Sequence, residues 1–465
     1  MSKIKFGTDG WRAIIAKEYT VANVERVAVA TADWILQQNP KTPRIVIGHD
    51  CRFAGEMFLN AAASIFAAKG IEVIAAKGFV STPMVSLATK NKGAQLGVVI
   101  TASHNPPSYN GFKLKAHFGG PASPAVIGEI EDIIPDSTNS KLDNFESYVE
   151  SGKITFADLE SEYIKVLEES FDIESIKKLK FGYDAMFGAG QNVIKRMFPE
   201  ALKLHCDHNP SFEGQAPEPI DKNLQPFSKA LAEDPEISVG FANDGDADRI
   251  GMYNGKGEFV DSHHIILLLI HYLCKYKNLS GKVVVAFSVT EKIFALCQHY
   301  GLDVEITKIG FKYIAEKMTK EQVLVGGEES GGIAVGTFIP ERDGIFIALT
   351  ILEFMAKTGK SIDDLIQEVY DIIGSFSYSR DDLHLTESKK QEVIVKCKEG
   401  FFKNFGPYEI NETRTTDGYK FFISQEEWVM IRPSGTEPVL RVYCEAESGT
   451  KVREILDIVG AEILK

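Results

Sequence analysis

The chain has 465 residues and a net charge of −14, because 51 lysines and arginines face 65 aspartates and glutamates. This excess of negative charge repels a phosphate backbone and argues against a nucleic-acid partner. The longest apolar run, 265–270, is too short to span a bilayer, which excludes an integral membrane protein. The chain is several times longer than one domain, so we expect three or four domains. It shows neither a secretory signal nor Cys-x-x-Cys spacing, so we expect a cytoplasmic location and reduced cysteines. We further expect a monomer or homodimer.

The first stretch of the chain alternates between strands and helices. Apolar runs predict strands at 44–48, 71–75 and 96–101, and alanine-rich or capped segments predict helices at 55–69 and 83–90. This alternation is typical of a mostly parallel sheet that is covered by helices on both faces. We therefore predict an α/β domain over residues 1–145.

A polar loop follows the third of these strands. Its sequence is Thr101-Ala102-Ser103-His104-Asn105-Pro106. Ligands gather at the carboxyl ends of strands in such sheets, and Pro106 prevents a regular continuation of the backbone. We expect the Ser103 hydroxyl to face solvent, and from this segment alone a capping serine in a turn is an equally good interpretation.

Two further stretches repeat the alternation of strands and helices. We predict α/β domains over 146–253 and 254–372, whose last strands end at polar loops 244–249 and 326–332. The remaining residues, 373–465, predict two antiparallel strands, 427–431 and 440–446, followed by a helix. The predicted fold class is therefore α/β, with three similar mixed-sheet α/β domains around a central cleft plus a smaller C-terminal α+β domain.

The loop after the second domain's last strand carries three alternating aspartates. Asp244, Asp246 and Asp248 offer hard oxygen ligands of the kind that Mg²⁺ or Ca²⁺ prefers. An EF-hand is excluded because its sixth position would be Arg249 and its twelfth Gly255. A solvated acidic turn remains open, although crowded carboxylates repel one another and a divalent cation would neutralise them.

Two other segments combine glycine and hydroxyl residues with an arginine. They are 7–12, which ends at Arg12, and 432–436, which begins at Arg432. Backbone amides, hydroxyls and a guanidinium fork suit a bound phosphate, although either segment taken alone could be only a turn. Lys113 could transfer a proton if its pKa were lowered.

Together these segments resemble the α-D-phosphohexomutase family, which includes the phosphoglucomutases and phosphomannomutases. The resemblance extends over essentially the whole chain and keeps the family's order of motifs. The motifs are Thr-Ala-Ser-His-Asn-Pro, Asp-Gly-Asp-Ala-Asp-Arg, Gly-Glu-Glu-Ser and Arg-Pro-Ser-Gly-Thr-Glu-Pro. The first implies that Ser103 is a phosphoserine and the second that an aspartate loop binds Mg²⁺.

The resemblance also implies a role for each matching residue. Ser103, Asp244, Asp246 and Asp248 would surround Mg²⁺, and the residues expected to act on the transferring phosphoryl group are Arg12, His104, Lys113 and Arg249. Substrate binding is expected from Gly310, Glu328, Ser330, Arg432, Ser434, Gly435 and Thr436, of which the last four would hold the non-transferring phosphate.

The reaction implied by the resemblance interconverts hexose 1-phosphate and hexose 6-phosphate. Phosphoserine would donate to the free hydroxyl and give a hexose 1,6-bisphosphate, whose other phosphate would then return to Ser103. The fourth domain is expected to hinge and exclude water while the intermediate reorients. Hexose phosphates are then the expected partners, and the bisphosphate is the expected activator.

The sequence departs from the family pattern at two places. Many phosphomannomutases carry a histidine where this chain has Gly332, and this difference favours glucose phosphates over mannose phosphates. A lysine of some dual-specificity members corresponds here to Ser288 or a neighbour, so its contact with substrate is in doubt.

Two other functions remain open at this point. A metal-dependent phosphatase could use the same serine and aspartates but transfer the phosphoryl group to water. A non-catalytic paralogue could bind sugar phosphates, although it would be expected to have lost Ser103 or the aspartates.

Overall fold

The computed structural model describes residues 3–138, 144–433 and 439–464. The chain divides into two compact units. The first unit consists of residues 1–282 and 310–366, and the second of residues 283–309 and 367–465. Among the described residues, no helix combines the length and the apolar character that crossing a lipid bilayer requires.

The first unit begins with a mixed sheet. Its strands are β1 (Trp11–Ile14), β2 (Arg44–His49), β3 (Glu72–Ala76), β4 (Leu96–Ile100), β5 (Tyr109–Ala116), β6 (Gly120–Pro121) and β7 (Ile154–Ala157). They are ordered β1-β5-β4-β2-β3-β7, with β6 paired to β5. The helices are α1 (Val21–Gln37), α2 (Gly55–Ala68), α3 (Thr82–Asn91), α4 (Pro124–Asp132) and α5 (Phe145–Glu150). The predicted strands and helices of this stretch are confirmed with small shifts at their ends.

The centre of this sheet is buried on both faces. In β2 the side chains of Ile45, Val46 and Ile47 are fully buried, as continuous apolar strands require when helices cover both sides. β2 pairs in parallel with both β3 and β4, so the carboxyl ends of β2 and β4 lie at the same edge. The polar loop of residues 101–106, which we call the Ser103 loop, leaves the sheet at this edge.

A second sheet follows in the same unit. Its strands are β8 (Phe181–Asp184), β9 (Leu202–Leu204), β10 (Val239–Asn243), β11 (Ile250–Asn254) and β12 (Phe259–Val260), in the order β12-β11-β10-β8-β9. Its helices are α6 (Leu159–Ser170), α7 (Ile173–Ile176), α8 (Gln191–Met197) and α9 (Gln225–Glu233). β10 pairs in parallel with β8 and in antiparallel with β11. The turn between β10 and β11 is the aspartate loop.

The third stretch contributes to both units. Its elements are α10 (Ser262–His271), β13 (Lys282–Ala286), α11 (Lys292–Tyr300), β14 (Val304–Thr307), α12 (Phe311–Lys320), β15 (Val323–Gly327), β16 (Ile333–Val335), α13 (Gly344–Thr358) and α14 (Ile362–Ile373). In the first unit β15 pairs with β16 in antiparallel, and in the second β13 pairs with β14 in parallel. The turn between β15 and β16 carries Glu328 and Ser330.

The rest of the second unit is a five-stranded antiparallel sheet, a separate antiparallel strand pair and two helices. Its elements are β17 (Ser377–His384), α15 (Glu387–Lys398), β18 (Asn404–Phe405), β19 (Tyr408–Glu409), β20 (Glu412–Arg414), β21 (Tyr419–Phe422), β22 (Trp428–Pro433), β23 (Val439–Ala446) and α16 (Gly449–Leu464). The sheet order is β17-β23-β22-β21-β20, and the separate pair is β18 with β19. The predicted antiparallel strand pair and final helix are confirmed, as is the fold class of α/β domains followed by an α+β domain.

We predict that Gly97 in β4 cannot be replaced without loss of stability. A Cβ at this position would lie 2.1 Å from Thr89 Oγ1 and 3.2 Å from Lys115 Cβ. Because both neighbours are buried, Gly97→Ala should destabilise the protein by about 1–3 kcal/mol. Gly128→Ala is the control: nothing lies within 4 Å of its added Cβ, and inside helix α4 alanine should stabilise by up to about 1 kcal/mol. Urea denaturation followed by circular dichroism measures both changes, and equal midpoints for the two variants would contradict the prediction.

Candidate active site

Ser103 lies at the centre of a polar cluster in the first unit. Its hydroxyl donates a 2.6 Å hydrogen bond to Asp244 Oδ2 and lies 3.4 Å from His104 Nδ1. The prediction that this hydroxyl faces solvent is wrong, because Ser103 has no exposed surface in the structure. The aspartate loop covers it: a Cβ added at Gly245 would lie 2.6 Å from the Ser103 carbonyl oxygen.

The backbone of Ser103 adopts an uncommon conformation. Its φ is 52°, in the left-handed region that non-glycine residues seldom occupy. The amide N–H of Ser103 donates to Thr101 Oγ1 at 2.9 Å. Such a conformation costs about 1–3 kcal/mol and persists only where the surroundings fix it, which is common at functional sites.

The aspartate triad (Asp244, Asp246 and Asp248) follows β10. All three side chains are buried, and one carboxylate oxygen from each lies within 4.8 Å of the others. A tight turn with Ala247 at φ 55° brings them together. Asp244 Oδ1 accepts the backbone N–H groups of Asp248 and Arg249, each at 3.0 Å, which closes the loop.

The triad concentrates negative charge in a buried space. Burial raises the pKa of Asp244 well above its ordinary value, and the charges of Asp246 and Asp248 act in the same direction. Burial also opposes ionisation of Asp246, but Lys113 and the Thr82 hydroxyl hold its pKa below the ordinary value. Thr82 Oγ1 donates to Asp246 Oδ2 at 2.5 Å. Two neighbouring carboxyl groups therefore differ in their preferred form: Asp244 favours the protonated acid and Asp246 favours the charged carboxylate.

Lys113 on β5 neutralises part of this charge. Its fully buried Nζ contacts Asp246 Oδ2 at 2.7 Å, Asp248 Oδ2 at 3.0 Å and Asp9 Oδ2 at 2.7 Å. Burial favours the neutral amine, but these three carboxylates raise the pKa of Lys113 above its ordinary value. The lowered pKa that proton transfer would need is therefore not found in this arrangement, and the role of Lys113 in proton transfer stays a prediction.

Arg342 is a second buried cation, and the sequence analysis missed it. Its Nη2 contacts Asp9 Oδ2 at 2.5 Å and Asp248 Oδ2 at 2.6 Å. Burial opposes its charge, yet Asp248 and Asp9 raise its pKa well above the ordinary value. The one available signal was a charged triplet, 341–343, placed between a short apolar strand and an apolar helix.

The residues of the triad fit a magnesium ion. Three carboxylates that converge within one ion's reach are the hard oxygen donors that Mg²⁺ selects. Asp246 Oδ1 and Asp248 Oδ1 are buried and accept no hydrogen bond from any described residue. Buried carboxylate oxygens without partners are costly, and a bound cation would satisfy them.

Arg12 contacts the Ser103 loop, and Arg249 directly follows the triad. Arg12 Nη1 donates to Asn105 Oδ1 at 2.7 Å, and Arg249 Nη1 lies 3.5 Å from Glu218 Oε1. Burial lowers the pKa of Arg12, and the positive charge of Arg249 lowers it further. Two half-buried guanidinium groups that repel each other form a cationic pair suited to an anionic group.

The turn after β15 places Glu328 beside Gly310, which in turn lies close to Thr8. Glu328 Oε1 accepts the backbone N–H of Gly310 at 2.8 Å, and burial raises its pKa. Gly310 has φ 131°, and a Cβ there would lie 3.1 Å from Thr8 Cγ2. Ser330, in the same turn, is half-buried. The predicted sugar-binding turn is thus folded against the segment that carries Arg12.

Arg432 belongs to the second unit. Its Nε and Nη2 lie 3.2 and 3.4 Å from the two oxygens of Asp417, whose Oδ2 also accepts the Ile309 amide at 2.9 Å. The other predicted phosphate-clamp residues, Ser434, Gly435 and Thr436, lie outside the described residues. The clamp therefore stays a prediction.

Four family models match the chain in order. They are the phosphoglucomutase/phosphomannomutase α/β/α domain I at 3–141, domain II at 161–257, domain III at 261–372 and the C-terminal domain at 387–461. The Ser103 loop, the aspartate triad and the Glu328 turn fall in the first, second and third models, respectively.

Individual proteins give the same result. The chain is 31% identical to a phosphoglucomutase/phosphomannomutase of Thermococcus kodakarensis, with 99% of this chain and 98% of that protein covered. It is 29% identical to a phosphoglucosamine mutase of Caldicellulosiruptor bescii, with 98% of each covered.

Solved structures share the fold. The crystal structure of a Thermus thermophilus protein assigned to the phosphomannomutases matches with a TM-score of 0.86 and 32% identity over 100% of both chains. At the level of fold alone, an N-acetylphosphoglucosamine mutase of Aspergillus fumigatus, solved with GlcNAc-6P and magnesium, matches with a TM-score of 0.56 and 14% identity over 98% of this chain and 96% of that one.

We predict that Mg²⁺ stabilises the folded protein through the triad. A ligand at one hundred times its Kd adds about 2.7 kcal/mol to the free energy of unfolding, so Mg²⁺ should raise the thermal midpoint. Asp244→Asn should abolish this shift without lowering the midpoint of the metal-free protein, because one of three repelling carboxylates is removed. Differential scanning fluorimetry with and without Mg²⁺ measures the shift.

The control for this experiment is Asp132→Asn. Asp132 is exposed at the end of α4, so its replacement removes the same charge and should leave the Mg²⁺ shift intact. An unchanged shift in Asp244→Asn would show that the triad is not where Mg²⁺ binds.

Proposed function

Because the chain belongs to the phosphoglucomutase/phosphomannomutase family, whose members are phosphomutase isomerases, we propose that it interconverts hexose 1-phosphate and hexose 6-phosphate through a phosphorylated Ser103. One observation carries the proposal. The Ser103 hydroxyl lies 2.6 Å from a carboxylate of the buried aspartate triad, with a pair of guanidinium groups nearby. A serine held beside a cation site is arranged to carry a phosphoryl group.

The proposed cycle has two transfers. In the first, the bond between phosphorus and Ser103 Oγ breaks while a bond forms to the free hydroxyl of the hexose phosphate. The proton that this hydroxyl loses is taken up at Ser103 Oγ, and the product is a hexose 1,6-bisphosphate. In the second, the other phosphate returns to Ser103 Oγ, and the proton that Oγ gives up passes to the sugar oxygen that the phosphate leaves. The enzyme is again phosphorylated, so hexose 1,6-bisphosphate is both the intermediate and the activator.

The chain's own residues stabilise this transfer by charge. Arg12 and Arg249 would contact the oxygens of the transferring group, where guanidinium forks offset negative charge. Mg²⁺, when held by the triad and an oxygen on Ser103, would supply further positive charge to the same group. Lys113 would offset part of the charge of Asp9 and two triad carboxylates, which eases the entry of an additional anion into a site that is rich in carboxylates.

Recognition of the sugar is proposed for the Glu328 turn. Glu328 is oriented by the Gly310 amide and, with Ser330, offers oxygen atoms suited to sugar hydroxyls. Arg432, Ser434, Gly435 and Thr436 would hold the phosphate that is not being transferred. Positioning of this kind supplies much of the rate enhancement when the transition state needs little covalent chemistry.

We propose that a glucose phosphate is the preferred substrate. A Cβ at residue 332 would lie 2.5 Å from Arg342 Cδ, and Arg342 is held by Asp9 and Asp248. The histidine that many phosphomannomutases carry here therefore has no space without displacement of Arg342. Since several relatives are named phosphoglucosamine mutases, glucosamine phosphate is the competing substrate that must be compared directly.

The reaction can be followed by phosphorus NMR. The protein with Mg²⁺ and trace glucose 1,6-bisphosphate should convert glucose 1-phosphate to glucose 6-phosphate, and glucosamine and mannose 1-phosphates should react with lower kcat/KM. Higher kcat/KM for glucosamine 1-phosphate would correct the sugar assignment while retaining the mutase. Accumulation of inorganic phosphate in place of a 6-phosphate would favour a phosphatase.

Ser103→Ala should abolish mutase turnover. Loss of the proposed phosphoryl carrier should lower kcat by at least about 1,000-fold, since alanine offers no nucleophile at this position. The control is Ser64→Ala, which removes a buried hydroxyl that donates to Asn60 O within α2 and should keep full activity. Retention of wild-type turnover in Ser103→Ala would refute the carrier role.

A further inference from the structure

Arg52 lies beneath the Ser103 loop and has no assigned role. It follows β2, whose carboxyl end lies beside that of β4 in the parallel part of the sheet. Its side chain is fully buried, and its guanidinium carbon lies 5.2 Å from the centre of the Phe212 ring. A fully buried arginine must find partners for its charge and its N–H groups.

Those partners are backbone carbonyl groups of one loop. Arg52 Nη2 donates to Ser103 O and to Asn105 O, each at 2.6 Å. Arg52 Nη1 donates to Pro106 O at 2.9 Å and to Tyr109 O at 3.0 Å. The loop from Ser103 to Tyr109 thus wraps around a single guanidinium group.

Asp50 completes the arrangement from the other side. Its Oδ1 accepts the Arg52 backbone N–H at 2.9 Å, and its Oδ2 lies 3.4 Å from Arg52 Nε. The same Oδ2 accepts the Thr101 hydroxyl at 2.5 Å, and Thr101 Oγ1 accepts the Ser103 amide at 2.9 Å. Asp50 therefore holds the Ser103 N–H through the Thr101 hydroxyl, and Arg52 holds the Ser103 carbonyl directly.

The chemistry of arginine suits this position. A planar guanidinium presents its N–H groups in a fixed fork, whereas an ammonium ion is a single point that cannot reach four separated carbonyls. The four terminal N–H groups of Arg52 match the four carbonyls, and its Nε faces the Asp50 carboxylate at 3.4 Å, so the guanidinium is turned toward protein groups on all its N–H edges. Arg52 therefore acts on the reaction through the backbone and not by contact with the reacting group.

The strained conformation of Ser103 explains why such support is needed. With φ at 52°, the loop stores strain that would be released if its contacts were removed. Relaxation would move the Ser103 hydroxyl away from Asp244 Oδ2. A displacement of about 1 Å can lower the rate of an oriented reaction about 100-fold.

We propose that Arg52, braced by Asp50, is a positioning residue that holds the Ser103 backbone in its left-handed conformation and so aims the side-chain oxygen at the aspartate triad. The inference rests on the proposed function of Ser103 as phosphoryl carrier. Arg52 sets the geometry of phosphoryl transfer and leaves the binding of the sugar to other residues.

Arg52→Lys tests the proposal because it keeps the charge and most of the volume but loses the fork. We expect kcat with glucose 1-phosphate to fall about 100-fold while KM changes by less than about threefold, since only the orientation of the carrier is lost. Arg26→Lys is the matched control: Arg26 is also a buried arginine whose Nε donates to a backbone carbonyl, Pro135 O, but it lies on α1. The control should keep wild-type kcat.

Chemical rescue separates positioning from general damage. In Arg52→Ala, free guanidinium ion at low millimolar concentration should restore part of kcat by occupying the vacated space, and sodium at the same ionic strength should not. A fall in kcat/KM that comes only from a higher KM, with kcat unchanged, would overturn the proposal. Full activity of Arg52→Lys would overturn it as well.

A second measurement does not depend on turnover. Hydrogen exchange with mass spectrometry should show faster amide exchange over residues 103–109 in Arg52→Lys than in the wild-type protein, with the α1 region unchanged. If the wild-type protein lacks mutase activity but this loop still loosens, the proposed function fails and the structural part of the inference stands. If the loop's exchange is unchanged, Arg52 does not position it.

Discussion

The structure depends on the neutralisation of several carboxylates that are buried at one place. The aspartate triad is buried and the half-buried Asp9 lies close to it, so negative charge is brought together where water screens it weakly, and unpaired buried charge is strongly unfavourable. Lys113 and Arg342 supply positive charge from strand β5 and from the segment before helix α13. Because these groups come from distant parts of the sequence, their pairing ties three α/β stretches of the first unit together. In the proposed reaction, the same balance would let the site accept a cation and a phosphoryl group.

The fold places these groups by the geometry of its strands. The Ser103 loop follows β4, the triad follows β10 and the Glu328 turn follows β15, so each polar segment leaves a sheet at the end of a buried strand. Rigid sheets fix where these loops begin, and the loops' own hydrogen bonds fix how their side chains point. At Ser103 the second requirement is severe, since a left-handed backbone must be held by the Asp50 and Arg52 network. The strained backbone of Ser103 thus lowers local stability but orients the Ser103 side chain.

Much of this arrangement could be predicted from the sequence, because strand runs such as 44–48 and the alternating aspartates are local patterns. Three features could not. The burial of Ser103 depends on the loop after β10 that folds over it, and the raised pKa of Lys113 depends on carboxylates from two distant loops. Arg342 pairs with Asp9 across most of the chain. Long-range charge pairing leaves no periodic signal, so the sequence shows candidate groups but not their partners.

In the proposed reaction, Ser103 carries the phosphoryl group between the two oxygens of the sugar. The most direct test is to label the phosphate on the purified enzyme with ³²P and to mix this protein with unlabelled glucose 1-phosphate and Mg²⁺ in a single turnover. We expect the label to leave Ser103 and to be recovered in glucose 1,6-bisphosphate and glucose 6-phosphate. Label that remains on the protein during product formation, or that is released only as inorganic phosphate, would contradict this role of Ser103.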